Sequence, residues 1–235
     1  MMPDLFNHST LEMSTSPLAQ EASSLLWGEV TVNRIAVVVA IVLLVIELRD
    51  ILLLAPSLLR GLVIWKANVE LEHSVNLSRT RNTVALVCGV LFCVIADRYS
   101  MFDTSWRAAA PEELQMALTA AMVVGFVFLR DILYLISPLR SRTAEFACTV
   151  RHAIYNYFIV YAVLAIVSTV LMEAFGVSAA AGRVVLTVEA LVVYLIDITR
   201  TAQILSSRYG VFLTILYLCA LELLPMGFLI LMCTR

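Results

Sequence analysis

Long apolar runs separated by short polar stretches are the feature that most constrains this sequence. Of its 235 residues 61% are hydrophobic and only 14% are charged, and the mean hydropathy is +0.93. An ordinary soluble domain has about 25% charged residues and about 45–50% apolar ones. The composition therefore excludes a soluble globular enzyme, a disordered chain and a fibrous protein, and it predicts a multi-pass helical membrane protein.

Six of the runs approach the length of about 20 mostly apolar residues that a membrane-spanning helix needs. They cover residues 34–55, 82–96, 115–136, 152–172, 183–205 and 211–232. The second run is the shortest and can extend towards residue 102. We predict an all-α polytopic membrane protein in which residues 34–235 form a single domain of six transmembrane helices.

The first 33 residues have a different character. They contain acidic residues, several Ser and Thr, and no Lys or Arg. The basic start and early apolar stretch of a signal peptide are both missing. Residues 1–33 are therefore expected to be a mobile acidic tail, with an alternative interfacial role for Trp27, because Trp favours the headgroup level.

The distribution of Lys and Arg predicts the orientation. Alternate connections sum to nine Lys and Arg on one side and five on the other. The richer side belongs in the cytoplasm by the positive-inside rule, so both termini are predicted to be periplasmic. The net charge of -2 gives no basic surface that would suggest a nucleic acid.

Two local patterns bear on where helices begin. Pro111, followed by Glu112 and Glu113, predicts a helix start, because proline suits the first turn and acidic residues suit the helix dipole there. The small residues 178–182 (SAAAG) are expected to form a loop between the fourth and fifth spans.

An internal repeat links the first and third spans. Residues 48–52 (LRDIL) recur as residues 129–133, and residues 194–198 (YLIDI) in the fifth span are a weaker echo. An Arg-Asp pair at the same depth in two spans is less expected by chance than a match of apolar residues. The repeat predicts three parallel helical hairpins, formed by spans one and two, three and four, and five and six.

Charged residues inside the spans form the candidate functional set. A charge at the bilayer centre costs roughly 2.5–3.5 kcal/mol on insertion scales, so each is expected to face the interior and to be paired. The candidate charge network consists of Glu47, Arg49, Asp50, Arg130, Asp131, Asp197 and Arg200.

The first interpretation of this network is structural. Adjacent helical residues point about 100° apart, so each Arg and Asp of the repeat is expected to pair with a neighbouring helix. Asp197 and Arg200 are three apart and can pair on one helix. Asp131→Ala is then expected to strand an arginine and to destabilise the bundle by a few kcal/mol.

The second interpretation is transport through an unpaired carboxylate. Glu222 lies in the sixth span, and no Lys or Arg lies between Arg208 and Arg235. Pro225 removes a backbone donor three residues later and can kink the helix. Glu222 and Pro225 are therefore a candidate ion or proton site.

A catalytic interpretation would use the same carboxylates with His73 or His152. The sequence contains no HExxH, GxSxG, P-loop or GxGxxG pattern, and no pair of histidines has metal-ligand spacing. The five cysteines form no CxxC and are expected to be packing residues. No metal site and no cofactor are predicted, and enzymatic activity is not favoured.

Two segments resemble a bacterial inner-membrane family of unknown function found in Bacteroidota. They are residues 216–225 (LYLCALELLP), which are similar to its closing motif, and residues 152–157 (HAIYNY). The resemblance implies an integral inner-membrane protein and transfers no activity.

The leading functional prediction is a non-enzymatic component or scaffold that assembles with another membrane or envelope protein. The alternative is a small-solute or proton-coupled transporter that uses Glu222 with Asp131. The lipid bilayer is the expected surrounding in both cases, and no nucleic-acid partner is expected.

Overall fold

A computed structural model describes residues 27–137 and 144–233 of the chain, and these residues form helices and no strand. The acidic tail lies outside the described residues except for its last seven positions. The helices are α1 (Thr31–Val63), α2 (Trp65–His73), α3 (Val75–Arg98), α4 (Ser105–Ala108), α5 (Glu112–Ile136), α6 (Ala144–Ala174), α7 (Ala179–Ser206), α8 (Val211–Leu218), a π-helical turn (Cys219–Leu223) and α9 (Leu224–Cys233).

Five helical segments are long and apolar enough to cross a membrane. They are α3, α5, the Cys148–Ala174 part of α6, α7, and the Val211–Ile230 segment that runs from α8 into α9. These segments correspond to the second to sixth predicted spans and support a multi-pass membrane protein. The first predicted span lies within α1, which is not among the five, so the six-span count is not confirmed.

The first helix is longer than its predicted span. It continues through Pro56 to Val63, and the non-helical residues Ile64 and Ser74 then separate it from α2 and α3. A proline inside a helix removes one backbone donor. Here the Ser57 hydroxyl donates to the Leu54 carbonyl at 2.7 Å beside it. The predicted connection between the first two spans is thus almost entirely helical.

Both local patterns have a clear outcome. Helix α5 begins at Glu112 with Pro111 as its N-cap, which confirms the predicted start. The prediction of a loop over residues 178–182 is wrong, because α7 begins at Ala179. Ser178 is its N-cap, and its hydroxyl accepts from the Ala181 amide at 3.4 Å. An N-cap serine satisfies a donor that the first helical turn would otherwise leave free.

Helices α3 and α6 form the centre of the bundle. α3 packs against α1, α5 and α6, and α6 packs against α3 and α7. Phe92 of α3 contacts Phe158 and Tyr161 of α6 edge-on, at centroid distances of 5.7 and 5.5 Å. The predicted pairing into three hairpins is not confirmed, since α5 makes few contacts with α6 and packs mainly on α3.

Candidate functional site

The most deeply buried ion pair joins Arg130 of α5 to Glu222 of the π-helical turn. Arg130 Nη2 donates to Glu222 Oε1 at 2.6 Å and Nε donates to Oε2 at 3.2 Å, and both side chains are only 2% exposed. The Tyr134 hydroxyl donates to Oε1 at 2.6 Å, and Arg130 Nη1 donates to the Arg151 carbonyl at 2.9 Å. The pair therefore connects α5, α6 and the C-terminal segment.

The π-helical turn ends two residues before Pro225, which forms the predicted ion or proton site together with Glu222. Proline has no amide hydrogen, and its ring clashes with the carbonyl four residues earlier. In this turn the Leu224 amide bonds to the Cys219 carbonyl, five residues back, in place of the α-helical spacing. Such single-turn π segments are rare and often lie at functional sites. Glu222 lies within the turn, and its carbonyl accepts from the Tyr194 hydroxyl at 3.1 Å.

Asp197 of α7 is a second carboxylate close to this pair. Its side chain is 2% exposed, and the one hydrogen bond that Oδ1 accepts from the described part of the chain comes from the Thr201 hydroxyl at 3.4 Å. Its Oδ2 is buried and has no hydrogen-bond partner among the described residues. The carboxylate interacts electrostatically with Glu222 and Arg130. Two buried carboxylates thus lie within electrostatic reach of one guanidinium, whose hydrogen bonds go to Glu222 and to the Arg151 carbonyl.

The other predicted members near this end have separate partners. Asp131 accepts from Arg151 at 3.0 and 2.9 Å, and this pair is partly exposed, with side chains 25% and 39% accessible. Arg200 donates to the Leu62 carbonyl at 3.0 Å and to Gln203 at 2.8 Å. No bond joins Arg200 to Asp197. The expectation that Glu222 is unpaired also differs from the structure, because Arg130 reaches it from another helix.

The three network members on α1 lie apart from this cluster. Arg49 is exposed, and no hydrogen bond or ion pair engages its side chain or that of Asp50 within residues 27–137 and 144–233. One oxygen of Glu47, Oε2, is buried without a partner in the same part of the chain. The two copies of the repeat are therefore placed differently, with Arg130 buried and Arg49 exposed.

A second polar cluster was not among the sites predicted from the sequence. Glu72 of α2 accepts from Arg81 of α3 on Oε2 at 2.5 Å, and its Oε1 is 2.9 Å from His152 Nδ1 of α6. The Cys148 thiol lies 3.5 Å from that same Oε1 and 3.4 Å from Nδ1. Burial opposes ionisation of Glu72, but hydrogen bonds from His152 and Arg81 lower its pKa to about 2.

Among the described residues, Glu72, Cys148 and His152 form the group whose donor atoms could hold a metal ion. One signal in the sequence points to half of it: Cys148 and His152 are four apart, so they share a face of α6. Glu72 carries no such signal, because only the packing of α2 against α6 brings it there.

A third cluster, at the other end of the bundle, is structural. Asp97 of α3 is 1% exposed and accepts from Arg107 at 2.6 Å, from Thr119 at 2.8 Å and from Trp27 Nε1 at 2.8 Å. The Trp27 side chain is thus hydrogen-bonded to α3. Arg107, in the connection between α3 and α5, is held against α3 by its ion pair with Asp97. Asp97 and Arg107 follow the predicted second span (residues 82–96) and precede the third (residues 115–136), and their pairing was not predicted from the sequence.

A comparison with protein families matches a domain of unknown function, DUF4271, over residues 75–232. The match starts at the first residue of α3 and includes α5, α6, α7 and the π-helical turn. No curated protein and no solved structure is significantly similar to the chain. Because the match covers more than half of the sequence, this chain belongs to the DUF4271 family.

Proposed function

We propose that this protein is a non-enzymatic component of a bacterial envelope complex, held in the inner membrane by six helices. In this proposal α1 supplies the sixth span and docks a partner. The observation that carries it is Arg49, which is exposed in an otherwise apolar face of α1 and has no partner among the residues that the structure describes. No activity of a relative enters the argument, since the family has no known function.

The repeat shows why Arg49 is unusual. Arg49 follows the first residue of α1 by the same number of positions as Arg130 follows the first residue of α5, so both are about 27 Å along their helices. In α5 the arginine is buried against Glu222. Charges at membrane depth are expected to face protein and to be paired. A carboxylate supplied by another chain would pair with Arg49 as Glu222 pairs with Arg130.

The surface around Arg49 fits a helical partner. Val42, Val45, Ile46 and Leu53 lie on the same side of α1 and are 51–66% exposed. Side chains spaced by three, four and seven residues share one helix face. The proposed occupant is therefore a transmembrane helix of another protein that places Asp or Glu against Arg49 within an apolar stripe.

Site-specific photo-cross-linking in the native host tests this proposal. A photoreactive residue at Val45 or Leu53 should cross-link to one protein, whereas the same residue at Leu191, an outward position of α7, should not. Arg49→Leu should abolish the cross-link, and the matched change Arg60→Leu, on the exposed end of α1, should preserve it. In a charge-swap experiment, the partner's acidic residue replaces Arg49, and arginine replaces the acidic residue in the partner. A restored cross-link would identify the two residues that pair.

Equal cross-linking from α1 and α7 would contradict a specific docking face. Cross-links only to a second copy of the chain would replace the heterologous partner with self-association. An Arg49→Leu protein that cross-links as efficiently as the wild type would contradict the role of the charge and leave Arg49 to snorkel towards the headgroups.

Proton-coupled transport of a small solute is the second candidate, and Asp197 is the observation that favours it. A fully buried carboxylate with an unpartnered oxygen is costly unless it binds a proton or a cation. Glu222, the carboxylate next to it, is already paired with Arg130. In this second candidate function, the proton carrier is Asp197 and no longer Glu222. The π-helical turn is the place where the backbone would rearrange during transport.

Purified protein in liposomes with a trapped pH dye tests the transport candidate. A pH gradient or candidate solute should drive proton flux in the wild type, and Asp197→Asn should abolish it. Thr201→Val removes only the hydroxyl that bonds Asp197 and should retain flux. Equal flux in wild-type and Asp197→Asn liposomes would exclude Asp197 as the carrier.

The proposed topology has periplasmic termini and a cytoplasmic α2. Its test is the accessibility of thiols to a membrane-impermeant maleimide in intact cells. A cysteine introduced at exposed His73 should react only after the inner membrane is opened, and a cysteine introduced at exposed Phe175 should react before it. The opposite labelling pattern would invert the topology.

A further inference from the structure

The side chains of Glu72, Cys148 and His152 converge from two helices on one point. Their donor atoms are separated by 3.4 Å (Sγ to Nδ1), 3.5 Å (Sγ to Oε1) and 2.9 Å (Nδ1 to Oε1). Tetrahedral zinc with Zn–S of about 2.3 Å and Zn–N or Zn–O of about 2.0 Å separates sulfur from nitrogen or oxygen by about 3.5 Å. Two of the three separations already have that value.

The third separation, 2.9 Å between His152 Nδ1 and Glu72 Oε1, is that of a hydrogen bond, which a bound metal would replace. In a tetrahedral site the nitrogen and oxygen ligands lie about 3.3 Å apart, so Nδ1 and Oε1 need to separate by only a few tenths of an ångström. The Nδ1 proton of this hydrogen bond leaves to solvent, directly or by transfer through solvent to Nε2, so that His152 is neutral, carries its one proton on Nε2 and offers the Nδ1 lone pair to the metal. The Cys148 thiol releases one proton to solvent and binds as the thiolate.

The donor set selects among metals. Thiolate, imidazole and carboxylate together are typical zinc ligands, whereas Mg²⁺ and Ca²⁺ prefer oxygen ligands alone. Glu72 offers Oε1, the oxygen that Arg81 leaves free, as the carboxylate ligand. Three protein ligands leave a fourth position open, and the partial exposure of Glu72 and His152, 13% and 17% of their side chains, lets water reach it.

Surrounding side chains hold these ligands in place. Arg81 occupies Oε2 of Glu72 and leaves Oε1 directed at Cys148 and His152. Arg81 is itself fixed by two hydrogen bonds to the side-chain oxygen Oδ1 of Asn82, from Nε at 3.1 Å and from Nη2 at 2.8 Å. The Tyr155 ring stacks on the His152 ring with centroids 5.5 Å apart. Such outer contacts orient metal ligands and support their affinity.

We propose that Glu72, Cys148 and His152 form a Zn²⁺ site with one open coordination position at the α2 end of the bundle. The site joins α2 to α6 and is independent of Arg49 and Asp197. It takes a borderline-soft divalent cation, for which Co²⁺ is the spectroscopic substitute. Single non-helical residues, Ile64 and Ser74, join α2 to the helices on either side and allow it to change its angle. A metal bound between α2 and α6 would fix the position of α2 on the bundle.

Metal loading of the purified full-length protein tests the site. After chelator treatment, Zn²⁺ should rebind at one equivalent per chain, measured by elemental analysis. Co²⁺ should give the thiolate-to-cobalt charge-transfer band and the strong visible bands of four-coordinate cobalt. Cys148→Ser should abolish the charge-transfer band. His152→Gln and Glu72→Gln should weaken binding by at least the roughly 10–100-fold loss that follows removal of an outer partner.

Two matched variants control for non-specific binding. Cys219→Ser removes an exposed thiol, and His73→Gln removes an exposed imidazole next to Glu72, and both should bind Co²⁺ as the wild type does. As a check that needs no variant, Zn²⁺ should slow maleimide labelling of Cys148 and leave that of Cys219 unchanged. Binding below one equivalent, an unchanged cobalt spectrum in Cys148→Ser, or equal protection of both thiols would overturn the site.

Discussion

Arg130 and Glu222 lie 92 residues apart in the chain and form a two-pronged ion pair that is almost completely withdrawn from the surface. The pair connects α5 to the π-helical turn of the C-terminal segment. Tyr134 and the Arg151 carbonyl occupy further positions around it, so both charged groups have several partners. A pair with this burial is expected to be sensitive to the loss of either member.

Breaking this pair is the first stability test. Glu222→Leu leaves the Arg130 guanidinium buried without its carboxylate and should lower the free energy of unfolding by about 3–5 kcal/mol. The double change Arg130→Met with Glu222→Leu removes both charges and should recover much of that loss. Thermal unfolding in detergent measures both variants. A double variant no more stable than Glu222→Leu would contradict the account of a stranded charge.

Asp131→Ala is expected to have a much smaller effect than the sequence suggested. The Arg151–Asp131 pair is partly exposed, and such pairs contribute about 0–1 kcal/mol. The loss of stability should therefore be about 1 kcal/mol or less, and it should shrink in high salt. A loss of several kcal/mol in the same thermal assay would show that Asp131 has a role beyond this pair.

Two glycines give a matched pair of opposite predictions. A Cβ at Gly182 would lie 2.5 Å from Tyr99 Cε1 and 3.2 Å from Met172 Sδ, so Gly182→Ala should destabilise the protein by about 1–3 kcal/mol. Gly125, inside α5, has nothing within 4 Å of that position. Gly125→Ala should be neutral or stabilising by up to about 1 kcal/mol. Equal melting temperatures for the two variants would contradict this packing.

The Glu72 carboxyl predicts a pH dependence of stability. Its pKa is lowered from 4.5 to about 2 in the folded protein by His152 and Arg81, against the effect of burial. Its contribution is therefore fully present above about pH 4.5 and is lost as the pH falls towards 2. The wild type should lose more stability than Glu72→Gln across this window. If the free energy of unfolding changes with pH in the same way in the metal-free wild type and in metal-free Glu72→Gln, the bonds from His152 and Arg81 do not stabilise the ionised Glu72.

The class of the protein and most of its helices follow from the amino-acid sequence alone. Inside a membrane, a continuous apolar run can satisfy its backbone groups within itself only as a helix, and the length and apolar content of such a run are local properties of the sequence. The five segments that can cross a membrane match predicted spans two to six to within a few residues, except at the extended starts of α3 and α6. Proline and the acidic pair at the start of α5 fixed that boundary for equally local reasons.

Which charged side chains pair depends on how the helices pack. Residues 48–52 and 129–133 are identical in sequence, yet Arg130 is buried against Glu222 and Arg49 is exposed, because the neighbours of α1 and α5 differ. The spacing of Cys148 and His152 was visible in the sequence, but Glu72 reaches them only through the packing of α2 on α6. Local composition sets helices, whereas partners distant in the chain are chosen by how those helices pack.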